Sequence, residues 1–186
     1  MRPRIAYWTG ITSSGKDFTL GQTMDAWQGE PPANASMGSM ISEALRLDRD
    51  QSRGSVDGQE LYGIQMQIVE RVQAMEPVIF NSHLAARHGG VVGVNIDFER
   101  ALHPSHYVVI TAEPSQIAQW RAERNRRGER DSEVEDVAIV AAHQEILTGA
   151  VHAIARQIDA RVMVVNNAPG DIDDNVHQIL NFLESL

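Results

Sequence analysis

The stretch Gly10 to Asp17, GITSSGKD, constrains the fold of this chain more than any other. It reads Gly, four residues, Gly, Lys, and then Asp where a Ser or Thr is usual. Such a loop can wrap an anion only if it joins the end of a strand to the start of a helix, where glycines let the backbone turn and the helix adds its positive end. Both neighbours fit: RIAYWTG (Arg4 to Gly10) reads as a strand and DFTLGQTMDAW as a helix start. Gly10, Thr12, Ser13, Ser14 and Gly15 are therefore candidates to cradle phosphate, with Lys16 as a point charge on its outer oxygens. Asp17 has two readings, a magnesium site acting through a bound water or a helix cap. The plain alternative for the whole stretch is a Gly-Ser turn with a surface lysine.

Three further apolar runs, Pro77 to His83, His106 to Ala112 and Arg161 to Asn167, lack clean alternation, as strands covered on both faces do. Helical stripes lie between and after them: Leu61, Ile64, Ile68, Val72 and Met75; Leu147, Ala150, Val151, Ile154 and Ile158; Ile172, Val176, Ile179 and Leu183. Glu113-Pro114 marks a helix start with Pro at the first helical position. Strand and helix thus alternate, which predicts an α/β fold with a parallel sheet flanked by helices. Its 186 residues fit one domain. Two segments break the alternation: Gly29 to Gly38, rich in Pro, Gly and Ala, and the arginine-rich run Arg121 to Asp136. Both are expected to be excursions over the carboxyl edge of the sheet, where open α/β folds bind ligands.

A formal net charge of −9 argues against general binding to nucleic acid or to a membrane surface. No cysteine is present, which removes thiolate chemistry and cysteine metal sites. The pairs His83/His88 and His103/His106 lack partners for zinc. No run approaches about 20 apolar residues and the N-terminus has no signal-peptide core, so a cytoplasmic protein without a membrane span is expected.

Beyond the loop, MGSMISEALRLDRDQSR (Met37 to Arg53), VIFNSH (Val78 to His83), the arginine-rich run, His143-Gln144 and VMVVNNAPGDIDDNVHQIL (Val162 to Leu180) follow in order. Taken together, this set resembles the P-loop nucleoside monophosphate kinases, and among them the archaeal-type adenylate kinases. The resemblance implies one kinase domain, residues 1–186, with an acceptor-binding lobe at 29–58 and a lid at 120–137. It implies magnesium-dependent transfer from ATP to a nucleoside monophosphate. ATP would meet Gly10, Thr12, Ser13, Ser14, Gly15, Lys16, Asp17, Phe18, Arg121, Asn167 and Pro169. The acceptor would meet Gly38, Ser39, Arg49, Arg53, His83 and Arg87. Lys16, Arg53 and Arg126 would stabilise the transferred group, and Asp17 would serve the metal.

Arg49 and Arg53 lie four apart, on one face if helical, and two guanidinium forks suit a monophosphate. With Asp48 and Asp50 they also fit a solvated charged helix. The chain departs from the resembling kinases at Asn81-Ser82-His83, where a D-T-H-like sequence is usual, and in the ITSS interior of the loop. A Gly-Lys-Asp loop also occurs in some phage deoxynucleotide kinases and in a phosphomevalonate kinase family. The acceptor is therefore open to another (deoxy)nucleotide or a small phosphorylated metabolite, and a non-catalytic ATP-binding regulatory module remains a separate reading. A homo-oligomer is compatible with all of these.

Overall fold

The computed structural model describes residues 3–45, 58–88, 91–128 and 136–186. Five strands form one parallel sheet in the order β2 (Ala33–Ser36), β3 (Val78–Asn81), β1 (Ile5–Gly10), β6 (His106–Thr111), β7 (Arg161–Asn166). The short strands β4 (Ala85–His88) and β5 (Val91–Val94) pair antiparallel beside it.

The central strands β1 and β6 explain the continuous apolar runs, because both of their faces are covered. Successive side chains of β1 point to opposite sides. Ile5 and Tyr7 enter one core cluster with Phe80, Tyr107 and Val109, while Ala6 and Trp8 enter a second with Ile79, Val108 and Ile110. The first face is covered by α3 (Gly58–Gln73), α4 (Ile96–Leu102) and α6 (Val137–Ile158), which bring Ile68, Val72, Phe98, Leu102, Leu147, Val151 and Ile154. The second is covered by α1 (Lys16–Asp25) and α7 (Ile172–Leu183), through Leu20, Ile179 and Leu183. The remaining helices are α2 (Met37–Ala44) and α5 (Pro114–Arg126), the latter with Pro at its first position as Glu113-Pro114 predicts.

Several expectations need correction. The strand at Arg161 to Asn166 is not buried on both faces: it is a sheet edge, and Val164 is exposed. The Gly29 to Gly38 stretch is not wholly an excursion, since Ala33–Ser36 pairs in parallel with Val78–Asn81. An edge strand of Ala, Asn and Ser has no apolar period to betray it. Met75 lies past the end of α3 and is exposed, so the stripe there ends at Val72. The first six residues of the charged run are ordinary helix, because α5 continues to Arg126. Finally, α6 is long and apolar enough by composition to cross a bilayer, contrary to the sequence expectation. Its buried face (Val140, Leu147, Val151, Ile154, Ile158) packs in the core, as a core helix does. Residues 46–57 and 129–135, which include Arg49, Arg53 and Arg130, lie outside the described residues.

One buried acid sits in this core. Glu99, on α4, is 2% exposed and accepts a hydrogen bond from the Tyr107 hydroxyl at 3.0 Å. Burial outweighs the bonds from Tyr7 and Tyr107 and pushes its carboxyl from an ordinary 4.5 up to about 8. Between those two values the folded chain keeps a proton that the unfolded chain releases. The stability contributed by this group is thus full below the unfolded value and declines as pH rises toward 8. Thermal melts of wild type and Glu99→Gln across this range should show the wild-type Tm falling with pH relative to the variant. Parallel curves would remove Glu99 as the titrating group.

Candidate functional site

The site lies at the carboxyl ends of the parallel strands. The turn after β1 packs too closely for a side chain at Gly10: a Cβ there would stand 2.6 Å from the Ile110 carbonyl oxygen of β6 and collide with Ser14 Oγ. Two residues of the turn take left-handed backbone, Ser13 at φ 68° and Gly15 at φ 85°. At Gly15 a Cβ would also overlap the Asn167 amide nitrogen. Turns of this hand make concavities that bind anions, and the first amides of α1 add to it because they have no partner within the helix.

Every second carbonyl of the turn is held from outside by a side chain of a different element. Gly10 O accepts from Nδ1–H of His83, just past β3, at 2.9 Å. Thr12 O accepts from Nε and Nη2 of Arg121 on α5, at 3.2 and 2.8 Å. Ser14 O accepts from Nδ2 of Asn167, after β7, at 3.1 Å. Lys16 O accepts from the indole N–H of Trp8 on β1 at 2.9 Å. Asn167 is itself fixed by its backbone N–H on Thr111 O at 2.7 Å. Conversely, the hydroxyl oxygens of Ser13 and Ser14 are buried and have no hydrogen-bond partner among the described residues. Leaving such groups orphaned is costly, and a bound anion would satisfy them.

Lys16 is buried to its ammonium, which donates to Asp17 Oδ1 and to Asn81 Oδ1, each at 2.8 Å. Asn81 Nδ2 donates back to Asp17 Oδ1, also at 2.8 Å, which closes a triangle of three side chains. Burial alone would raise the Asp17 carboxyl, yet the bonds from Lys16 and Asn81 and the Lys16 charge hold it below its ordinary range. Asp17 does not cap α1 through a side-chain bond; Gly15 occupies the cap position. Its side chain is largely exposed, and Oδ2 accepts no hydrogen bond among the described residues. A hard carboxylate oxygen open to a cleft, beside an amide, fits a magnesium ion that keeps most of its waters.

A cleft of about 280 Å³ opens over the turn, lined by Thr12, Ser13, Gly15, Lys16, Asp17, Phe18, His83 and Arg124. Phe18 stands at its mouth, 57% exposed. The structure therefore brings together most residues that the loop motif singles out. It separates others. Arg121, 5% exposed, and Asn167 are directed at loop carbonyls. Arg124 lines the cleft, whereas Nε of Arg126 donates to Ala122 O of its own helix at 3.4 Å. Pro169 is exposed beyond β7. Gly38 and Ser39 sit in the first turn of α2, immediately after β2. Arg87 belongs to β4, and its side chain lies outside the described part. Trp8 and Asn81 were absent from the sequence-based site. Trp8 reads as core, and Asn81 as a lost carboxylate, until their partners are seen.

No family model matches the chain. Adenylate kinase of Thermococcus kodakarensis is 26% identical, over 98% of this chain and 96% of the relative. Adenylate kinase of Pyrococcus abyssi is 24% identical over 65% of this chain, which spans 63% of that relative's length. Among solved structures, shikimate kinase of Acinetobacter baumannii superposes with a TM-score of 0.61 at 12% identity, covering 100% of this chain and 94% of the other. Thymidylate kinase of Candida albicans gives 0.59 at 11%, covering 99% and 92%. The chain thus has the fold of the P-loop kinases and resembles the archaeal adenylate kinases along nearly its whole length.

Proposed function

We propose that this protein transfers the terminal phosphoryl group of ATP to a nucleoside monophosphate, with AMP as the acceptor that its relatives suggest. The observation that carries this reading is the loop whose alternate carbonyls are all held outward around a buried lysine. A turn braced in that way has its amides and two orphaned hydroxyls left for phosphate oxygens.

In the reaction an acceptor phosphate oxygen forms a bond to the γ-phosphorus while the bond from that phosphorus to the β-bridging oxygen breaks. The products are ADP and a nucleoside diphosphate. The protein has to align the two nucleotides and supply positive charge. Lys16 and the start of α1 meet the β- and γ-phosphates, and Arg124 faces them across the cleft. Asp17, with the Asn81 amide, would hold magnesium through water; when bound, the ion neutralises phosphate charge. Residues 29–58 would serve as the acceptor lobe, with Gly38 and Ser39 at the start of α2 and with Arg49 and Arg53, which lie outside the described residues, as the cations for the monophosphate. Residues 120–137 form the lid, which Arg121 roots on the phosphate loop. An ADP-release assay across ribo- and deoxynucleoside monophosphates tests the proposal. Turnover only with a phosphorylated metabolite would move the acceptor class, and tight ATP binding without turnover would favour a regulatory module.

Lys16→Ala should lower turnover by at least about a hundredfold, because a preorganised charge on the transferred group is lost. Near-normal turnover in that variant would end the phosphate-loop reading. Arg53→Ala should cost about 2–4 kcal/mol in kcat/KM for the acceptor, while nucleotide titration gives nearly unchanged ATP affinity. Collapse of ATP binding instead would reverse the two lobes. Arg121→Met should weaken ATP binding about tenfold, and Arg121→Lys should restore little of it, because one ammonium cannot reproduce two parallel N–H donors. Full rescue by lysine would reduce Arg121 to a simple charge.

A further inference from the structure

Lys16 is the cation that a phosphate would need, and its ammonium is already engaged within the protein. Its ammonium is bound to Asp17 Oδ1 and Asn81 Oδ1, both at 2.8 Å. The Asn81 amide is oriented by the same carboxylate, because its Nδ2 donates to Asp17 Oδ1. Asp17 is ionised in this arrangement, held low by Lys16 and Asn81 against partial burial. An incoming polyphosphate must draw the ammonium away from two partners. Once it has done so, it lies beside a carboxylate that has lost its counter-charge. With a Ser or Thr at position 17 there would be neither the competing ion pair nor the repulsion.

We propose that the Lys16–Asp17–Asn81 triangle is a latch that makes nucleotide binding conditional on a divalent cation. The proposal rests on the reading of this cleft as an ATP site. Metal-free ATP is disfavoured, because two like charges are left within a few ångströms of each other in one cleft. A divalent ion cancels that repulsion, since Asp17 offers it an open carboxylate oxygen while Lys16 turns to the phosphates. The carboxylate that the resembling kinases carry at the end of the second core strand stands here on α1, adjacent in sequence to the lysine that it restrains. Selection for the metal-bound nucleotide is therefore built into the loop itself.

Equilibrium binding of a non-hydrolysable ATP analogue, measured with excess Mg²⁺ and with excess chelator, tests the latch without any turnover. The readout is the ratio of the two affinities in wild type, Asp17→Asn and Asp17→Ser. Both variants should bind the metal-free analogue at least about tenfold more tightly than wild type, as expected for removing one nearby like charge. Their affinity in Mg²⁺ should be unchanged or weaker, so the ratio shrinks. Asn81→Ala supplies an independent arm: it loosens the triangle but keeps the charge, and its ratio should stay closer to wild type than that of Asp17→Asn. An unchanged ratio in both Asp17 variants, with the analogue binding well, would overturn the latch and leave the ATP site standing. No binding of the analogue by any form, with or without Mg²⁺, would overturn both.

Discussion

The bracing of the phosphate loop is the constraint on which the other features of the site depend. A carbonyl oxygen carries partial negative charge, so a turn meant for an anion must direct those groups elsewhere. Here His83, Arg121, Asn167 and Trp8 take the carbonyls of Gly10, Thr12, Ser14 and Lys16 in turn. Each brace comes from a different part of the sheet edge: past β3, on α5, past β7 and within β1. The loop conformation is therefore a product of the whole parallel sheet. A lesion in strand order or register would be felt first at this loop.

The same bracing explains which parts of the molecule could be read from the sequence. Strands β1, β3 and β6 and helices α3, α6 and α7 declare themselves because burial imposes an apolar pattern on them. Ala33–Ser36 does not, since a short edge strand buries little. The β4–β5 pair carries a weak sequence signal: Gly89-Gly90 stands between Ala85–His88 and the apolar Val91–Val94, and a Gly-Gly pair between two short runs is a hairpin cue. Lys16 and Gly15 are legible because their chemistry is local to the motif. Arg121 and Asn167 were legible as site residues but not in their roles, because each bonds a backbone carbonyl more than a hundred positions away. No residue type announces such a partner. The choice between Arg124 and Arg126 depends on helical phase, which a run of arginines leaves undetermined.

Charge follows the same division. The chain carries a formal net charge of −9, yet its cleft gathers Lys16, Arg124 and His83, with Arg121 directly beneath. Arg121 is the deepest of the arginines in the charged run that the structure describes, and it is turned toward neutral carbonyl oxygen. A buried guanidinium placed so both fixes the loop and adds a positive field behind it. Field and geometry at this point come from one side chain, which is why Arg and Lys are not equivalent there.

What distinguishes this loop is that its rigid and exchangeable parts are separated within a single residue. The Lys16 carbonyl is bound by a buried tryptophan of the central strand, a partner with no reason to change. The Lys16 ammonium, only a few bonds away, is held by an exposed carboxylate and an amide at the open cleft. The backbone of this residue is thereby fixed in the core, while its charge is paired at the surface of the cleft. The Asp17 and Asn81 departures thus meet in one arrangement, a triangle in which the Asp17 carboxylate accepts from both the Lys16 ammonium and the Asn81 amide.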